Sequence, residues 1–385
     1  MRERPQRGRS LTGQRYDVRT GPVAHGGHVV ARLDADVPEV GGTVVFVRHA
    51  LPEETVTVEI TEGSVGDRFL RGDAVAVAAP SPDRVLPPCP YAGPGLCGGC
   101  DFQHVTMERQ RLLKADVVSE QLRRLARVER AIDVEPLRAD EDGTGWRTRM
   151  RYQPLPGGML GLRAHRSHRV VPIAACLVQA PEALVTVEGR PAPPAATVTE
   201  QVGPHSFEVS VDGFWQGHRD APAVLSSAVL EAAELSSGER VLDLYCGVGL
   251  FTAPIAEAVG RAGRAVGVEG DVTAAELAEH NLASYAWAEV VAGPVDGYLR
   301  AEAEVGATYD VVVLDPPREG AKRKVVEAIV ALSPRTVVYV ACDPAAFARD
   351  LALFMERGYE LAGLRAFDAF PMTHHVELVA QLQVS

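Results

Sequence analysis

Arg240-Val241-Leu242-Asp243-Leu244-Tyr245-Cys246-Gly247-Val248-Gly249 is the stretch that decides the architecture. Its first half reads as a buried strand, and a glycine turn follows before a helical segment. Working outward, a helix over Ala221–Ala233 leads into this strand. Further strands are expected at Ala265–Val268, Val290–Ala292, Asp310–Leu314 and Thr336–Val340, with helical segments between them. Such alternation predicts an α/β domain built on a parallel, doubly wound sheet. After Phe354 the pattern closes with two strands, Glu360–Phe367 and His375–Leu382.

In a doubly wound sheet ligands gather at the carboxyl ends of the strands, so the strand tips are where chemistry is expected. Gly247 and Gly249 allow a ligand close to the backbone at a helix amino end. Glu269 ends the next strand, 26 positions after Asp243, where an acid can accept from both hydroxyls of a ribose. Thr252 stands where a dinucleotide-binding turn has its third glycine, so S-adenosylmethionine fits better than NAD. Two further tips, Asp315-Pro316-Pro317-Arg318 and Ala341-Cys342-Asp343-Pro344, should face the same crevice. Pro344 suits a first helical position, which puts Cys342 near a helix amino end that favours thiolate, while Asp343 opposes it. Cys342 is the candidate nucleophile.

The amino-terminal half is organised differently. Residues 1–10 read as a basic disordered tail, and 11–79 alternate apolar and polar residues in short runs such as Thr55-Val56-Thr57-Val58-Glu59-Ile60, predicting a small β-barrel. Pro80-Ser81-Pro82 marks a boundary, after which 80–220 form a central α+β region and 221–385 the doubly wound domain. The central region opens on a cysteine segment and a helix over Thr106–Val128. Strands are expected near 147–153, 158–163, 168–172 and 207–211, with a Pro-rich loop over Gly189–Ala196. Cys89, Cys97, Cys100 and Cys176, with the Cys97-Gly98-Gly99-Cys100 core, suit zinc or an iron–sulfur cluster, and spacing alone does not decide.

Composition narrows the partners. The 385 residues carry a net charge of −12, 46% hydrophobic and 23% charged residues, which excludes wholesale disorder. No run of about 18 apolar residues exists to span a membrane. The Arg-rich amino terminus has no apolar core, and six cysteines are too few for a disulfide scaffold, so a cytoplasmic protein is expected. The total charge argues against nucleic acid, but its distribution does not. Residues 1–32 hold seven arginines against two acids, and 143–176 hold Arg147, Arg149, Arg151, Arg163, Arg166 and Arg169 with no acid. Both islands suit phosphate binding. The alternating arginines 147, 149 and 151 share a strand face, and Trp146, Tyr152, His165 and His168 are candidates for stacking on unpaired bases.

Taken together, these motifs resemble the RNA uracil-5-methyltransferase family, along nearly the whole chain. The resemblance implies a class I, Rossmann-like methyltransferase domain, for which a terminal antiparallel pair is typical, behind an OB-like TRAM barrel at 11–79. It implies a [4Fe–4S] cluster on Cys89, Cys97, Cys100 and Cys176, the Cys97–Cys100 core being followed by Gln103-His104. It implies S-adenosylmethionine contacts from Gln216, in Phe214-Trp215-Gln216, and from Tyr245, Gly247, Gly249, Glu269 and Asp315. It also makes Cys342 the nucleophile and Glu377, in Thr373-His374-His375-Val376-Glu377, the general base. Several members carry an asparagine two residues after the second glycine of the turn. Here Leu250 follows Gly249, which implies a missing or replaced cofactor contact. The implied substrate is a uridine of 23S ribosomal RNA, with transfer RNA as the alternative, and nothing demands more than a monomer. The residues alone leave open an amino-group methyltransferase, since Asp-Pro-Pro also resembles a motif that holds an exocyclic amine. They also leave open an RNA-binding protein that has lost its activity.

Overall fold

The computed structural model describes residues 8–138, 142–190 and 196–384. Most of the expected basic tail and of the Pro-rich loop lie outside these residues. In chain order the strands β1 (Arg15–Ala24), β2 (His28–Arg32), β3 (Val44–Arg48), β4 (Thr55–Glu62) and β5 (Phe69–Ala79) come first. Helix α1 (Met107–Gln121) follows, then β6 (Val134–Pro136), β7 (Arg147–Pro154), β8 (Leu160–Arg163), β9 (Val170–Pro172), β10 (Gln179–Val187), β11 (Thr197–Val202) and β12 (His205–Ser210). The remainder alternates: α2 (Ala221–Ala233), β13 (Arg240–Leu244), α3 (Thr252–Val259), β14 (Arg264–Glu269), α4 (Val272–Asn281), β15 (Ala288–Ala292), α5 (Val295–Glu304), β16 (Val311–Leu314), α6 (Lys322–Ala331), β17 (Thr336–Ala341) and α7 (Pro344–Met355). Strands β18 (Tyr359–Asp368) and β19 (Glu377–Val384) end the chain.

Packing divides the chain into two compact units. One holds the chain up to Val117, Arg151–Leu177 and Phe370–His375; the other holds Val118–Met150, Val178–Ala369 and Val376–Ser385.

In the first unit β1–β5 close into a barrel of order β1-β2-β3-β5-β4. Alternation closes it: Val45 and Val47 of β3 and Val56, Val58 and Ile60 of β4 point inward and are fully buried, while their neighbours face outward. The barrel interior also takes Leu11, Leu33 and Leu70.

The second unit is built on an eight-stranded sheet of order β15-β14-β13-β16-β17-β19-β18-β6. Strands β13 to β17 pair in parallel, and β19 enters antiparallel between β17 and β18. The central strands are covered on both faces, which is why Val311-Val312-Val313-Leu314 and Thr336–Ala341 are buried at every position. Strands β6, β10 and β11 have no counterpart in the sequence reading: β6 is three residues long, β11 is largely polar, and the nine residues of β10 carry Pro181 and no regular alternation. The expected helix over 106–128 changes character at Leu122, where a π turn over Leu122–Ala126 takes over. That turn leaves Leu125 exposed, as Leu112 already is, while Leu113, Val117, Val118 and Leu122 are buried.

Candidate active site

The first constellation forms at the tips of β13 and β14 in the second unit. The chain leaves β13 through Tyr245 in a left-handed conformation (φ 62°), and Gly247 (φ 56°) and Gly249 (φ 91°) complete the turn. Space is open where a Cβ on Gly247 would project. Glu269 anchors the turn from the next strand, accepting from Gly247 N–H and Asp271 N–H, both at 2.8 Å. Asp243 is buried, and Thr252 donates to its Oδ2 at 2.5 Å while Oδ1 has no hydrogen-bond partner among the described residues. Burial and the nearby Asp315 and Glu269 push its carboxyl up to about 7. Leu250 is buried in the hydrophobic core and turns away from the glycine cradle. Gln216 is buried directly after the exposed Phe214 and the buried Trp215, which packs on Phe207 with ring centroids 5.7 Å apart.

The second constellation forms at the tips of β16, β17 and β19. Strand β17 pairs antiparallel with β19 so that Ala341 faces Leu378. One residue further, Cys342 and Glu377 emerge at the same end. Asp343 caps α7, its Oδ1 accepting from Ala346 N–H at 2.8 Å. Cys342 is half-buried, and desolvation, followed by Glu377 and Asp315, raises its thiol to about 12, whereas Arg318 opposes the shift. The sequence set the helix amino end against Asp343 without fixing the balance; in the fold, desolvation first and the neighbouring carboxylates second hold the thiol protonated. Burial and Asp315 likewise raise Glu377, and Arg318 opposes this too. Arg318 is thus the shared countercharge of nucleophile and base. It was visible only as the residue after Asp315-Pro316-Pro317.

The turn fits S-adenosylmethionine on its own features: an open cradle of backbone, an acid at the next strand tip and a buried carboxylate with an unused oxygen. The geometry defines a class I methyltransferase site.

The cysteine segment lies in the first unit. Cys97 bridges Ala164, and Gly98 N–H donates to Arg163 O at 3.0 Å. Gly99 N–H approaches Cys97 Sγ at 3.4 Å, as Gln103 Nε2 does Cys100 Sγ. Burial, then the neighbouring Cys176 and Cys97, push Cys100 up to about 12. N–H groups aimed at thiols suit cluster ligation. Yet among the described residues no three Cys, His, Asp or Glu side chains are gathered closely enough to hold a metal ion. Cys97 and Cys176 nonetheless lie near enough to Cys100 to act on its thiol, and the four cysteines are of the chemistry a cluster takes.

Two expectations for the basic island are also corrected. Trp146 and Tyr152 are buried, with Trp146 stacked on His218 at 5.7 Å, so neither is open to a base. Arg149 turns inward and donates to the carbonyls of Ser210 and Gly213 at 3.1 and 3.0 Å. The later part of the island, His165, Arg166 and Arg169, instead joins a barrel surface that carries the signature. On the outer side of the barrel Arg71 lies 4.8 Å over the Phe69 ring, and Phe46 meets Phe69 edge-on at 5.4 Å. Beside them a cavity of about 470 Å³ is lined by Arg48, Arg71, Arg166, Arg169, His28 and His165, together with Glu62 and Asp73. The Nε2 atoms of His28 and His165 have no hydrogen-bond partner among the described residues.

Comparison with known proteins gives family matches along most of the chain. Residues 9–75 match the TRAM domain, 216–320 the protein-L-isoaspartate(D-aspartate) O-methyltransferase family and 305–384 the tRNA (uracil-5-)-methyltransferase family. An uncharacterised RNA methyltransferase from Streptomyces avermitilis is 41% identical, the alignment covering 96% of this chain and 98% of the relative. The 23S rRNA (uracil(1939)-C(5))-methyltransferase of Acinetobacter baylyi is 29% identical over 97% of this chain and 96% of its own. In fold, the chain is similar to the Pyrococcus abyssi tRNA (uracil-54, C5)-methyltransferase, solved with S-adenosyl-L-homocysteine, at a TM-score of 0.63 and 20% identity over 91% of this chain and 98% of that one. The chain belongs to the RNA uracil-5-methyltransferase family. Among the described residues no helix is long and apolar enough to cross a membrane.

Proposed function

We propose that this protein transfers a methyl group to C5 of a uridine in RNA, with Cys342 as nucleophile and Glu377 as general base. The observation that carries the reading is the shared strand end of Cys342 and Glu377, where the Glu377 carboxylate acts on the thiol and Arg318 acts on both. Uracil C5 is a weak carbon nucleophile. A bond from Cys342 Sγ to C6 moves the ring electrons into an enolate and makes C5 reactive. Gln216, Tyr245, Gly247, Gly249, Glu269 and Asp315 would hold S-adenosylmethionine, which supplies an electrophilic methyl carbon on a positively charged sulfur. Once C5 is methylated, Glu377 removes its proton, the electron pair reforms the C5–C6 double bond, and Cys342 leaves. An amino-group methyltransferase would need no thiol at this position.

The target base must leave its stack to reach Cys342, at a cost of a few kcal/mol. We assign the offsetting contacts to the outer barrel face around Phe69 and Arg71 and to the adjoining basic cavity. Ribosomal RNA is the favoured substrate because the Acinetobacter relative named for it matches over 96% of its length. A [4Fe–4S] cluster on Cys89, Cys97, Cys100 and Cys176 is retained as a proposal. Anaerobically purified protein should be brown and contain iron, and colourless protein with stoichiometric zinc would refute it.

Incubation with RNA containing 5-fluorouridine tests the mechanism, since fluorine cannot leave C5 as a proton does. The wild type should form a protein–RNA complex that survives denaturing electrophoresis, and Cys342→Ala should not. Full methylation by Cys342→Ala would overturn the reading.

A further inference from the structure

Phe370–His375 is a six-residue strap that belongs to the first unit and continues through Val376 into Glu377, the first residue of β19. It is held by one short segment, which begins at the residue after Cys100. The N–H groups of Asp101 and Phe102 both donate to Met372 O at 2.9 Å. Met372 N–H donates in turn to Gln110 Oε1 at 2.9 Å, while Gln110 Nε2 donates to Phe102 O and Val105 O at 3.1 and 2.9 Å. Lys114 Nζ donates to Phe370 O at 3.0 Å. The Asp101 carboxylate accepts from His374 N–H at 3.2 Å and lies 2.6 Å from His374 Nδ1. Met372 sits at φ 65°, a left-handed conformation disfavoured for its side chain. Such a conformation persists only where its surroundings enforce it.

This grip is more than a loop needs in order to be ordered. Asp101 and Gln110 are buried or nearly so, and both direct their polar groups at the strap. The tether from the last gripped residue, His374, to the carboxylate of Glu377 is only three residues long, and His375 N–H is itself bonded back to Thr373 Oγ1 at 3.2 Å. A chain so short transmits the position of one end to the other.

We propose that Asp101 and Gln110 are positioning residues for the reaction: by fixing the strap they set the placement of Glu377 and so control removal of the C5 proton. The proposal rests on Glu377 being the base. It gives the segment after the cysteines a task in the chemistry that requires no electron transfer. Proton removal comes after the Cys342–C6 bond has formed, so loosening the strap should stall the enzyme as the covalent, methylated RNA adduct.

The experiment uses the full-length protein, S-adenosylmethionine and total RNA from a strain lacking this enzyme. Turnover is measured alongside protein–RNA complexes resistant to denaturation, for wild type, Asp101→Asn, Gln110→Ala, Lys114→Met and Glu377→Gln. Glu377→Gln should accumulate the adduct. Asp101→Asn and Gln110→Ala should lose turnover by about tenfold, keep KM for RNA, and accumulate adduct as well. Far-ultraviolet dichroism identifies any variant that fails to fold, and Lys114→Met, which loosens the strap at its other end, then replaces it. Wild-type turnover in the folded strap variants, or lost turnover without adduct, would overturn the proposal. No adduct with Glu377→Gln, together with an active Cys342→Ala, would instead overturn the assignment of the active site.

Discussion

Cys342 and Glu377 emerge side by side from antiparallel strands, and after desolvation the Glu377 carboxylate is the strongest influence holding the Cys342 thiol protonated. Nucleophile and base therefore oppose each other in the ligand-free protein. Removing the Glu377 charge should free the thiolate, and removing Arg318 should suppress it. Alkylation of Cys342 by iodoacetamide, followed by peptide mass spectrometry, reads this directly. The rate should rise about tenfold per pH unit through neutrality. At alkaline pH, where the raised Glu377 carboxyl is ionised, it should be faster in Glu377→Gln, and at any fixed pH slower in Arg318→Ala. Equal rates in all three proteins would show that the charges are not coupled.

Asp243 links the cofactor turn to stability. Its ordinary carboxyl value of 3.8 is raised to about 7 by burial in the folded chain. Between those values the folded state holds a proton that the unfolded state has released, so stability falls as pH rises through this window and levels off above it. Asp243→Asn keeps an acceptor for the Thr252 hydroxyl but cannot ionise. Melting temperatures between about pH 5 and 8 should fall less steeply for the variant than for the wild type, with a residual slope from Asp315 and Glu377. Identical slopes would mean that Asp243 ionises normally.

The parallel sheet was legible because strands buried on both faces are continuous aliphatic runs: Val311–Leu314 and Thr336–Ala341 differ sharply from the helices beside them. The barrel was legible from period-two alternation, as in Val56, Val58 and Ile60. Side-chain direction outside such patterns was not. Alternation placed Arg149 on an arginine face, whereas carbonyl groups at the end of β12 and just beyond it, about sixty residues away in sequence, draw it inward. Trp146 and Tyr152 looked like stacking residues because aromatic identity says nothing about burial. Arg318 had no assigned role because its importance is a charge balance among three strand tips. The clamp on Met372 joins Gln110 to a residue 262 positions away, a spacing no local motif records.

Gly98 has a structural requirement that can be tested apart from any metal. A Cβ there would lie 2.5 Å from His165 N and 2.6 Å from its Cα, both backbone atoms unable to swing aside. Gly98→Ala must break the contact between the cysteine segment and the 163–165 strand end. It should cost about 1–3 kcal/mol in denaturant unfolding and, if the cluster is present, lower the iron content of purified protein. Gly99→Ala, whose nearest neighbour is Cys97 Sγ at 3.6 Å, should be tolerated better. Equal stability of the two variants would contradict the packing argument.

The barrel face separates two kinds of RNA contact. Phe69 is 40% exposed, enough to offer its ring to an unpaired base, and Arg71 projects its charge over that ring. Stacking depends little on salt, whereas a phosphate contact releases counterions and steepens the salt dependence of binding. Phe69→Ala should therefore weaken RNA binding by about 1–3 kcal/mol while leaving the slope of log affinity against log salt unchanged. Arg71→Ala should weaken binding most at low salt and flatten that slope by about one. Its partner Glu62, 3.4 Å from Arg71 and 3.7 Å from Arg166, competes with phosphate for both guanidinium groups. Glu62→Gln should accordingly strengthen binding. Filter-binding titrations with unmodified ribosomal RNA at several salt concentrations measure all three. If affinity and slope stay at wild-type values in every variant, the RNA lies on another surface, and the exposed phenylalanine is only the outer edge of the barrel.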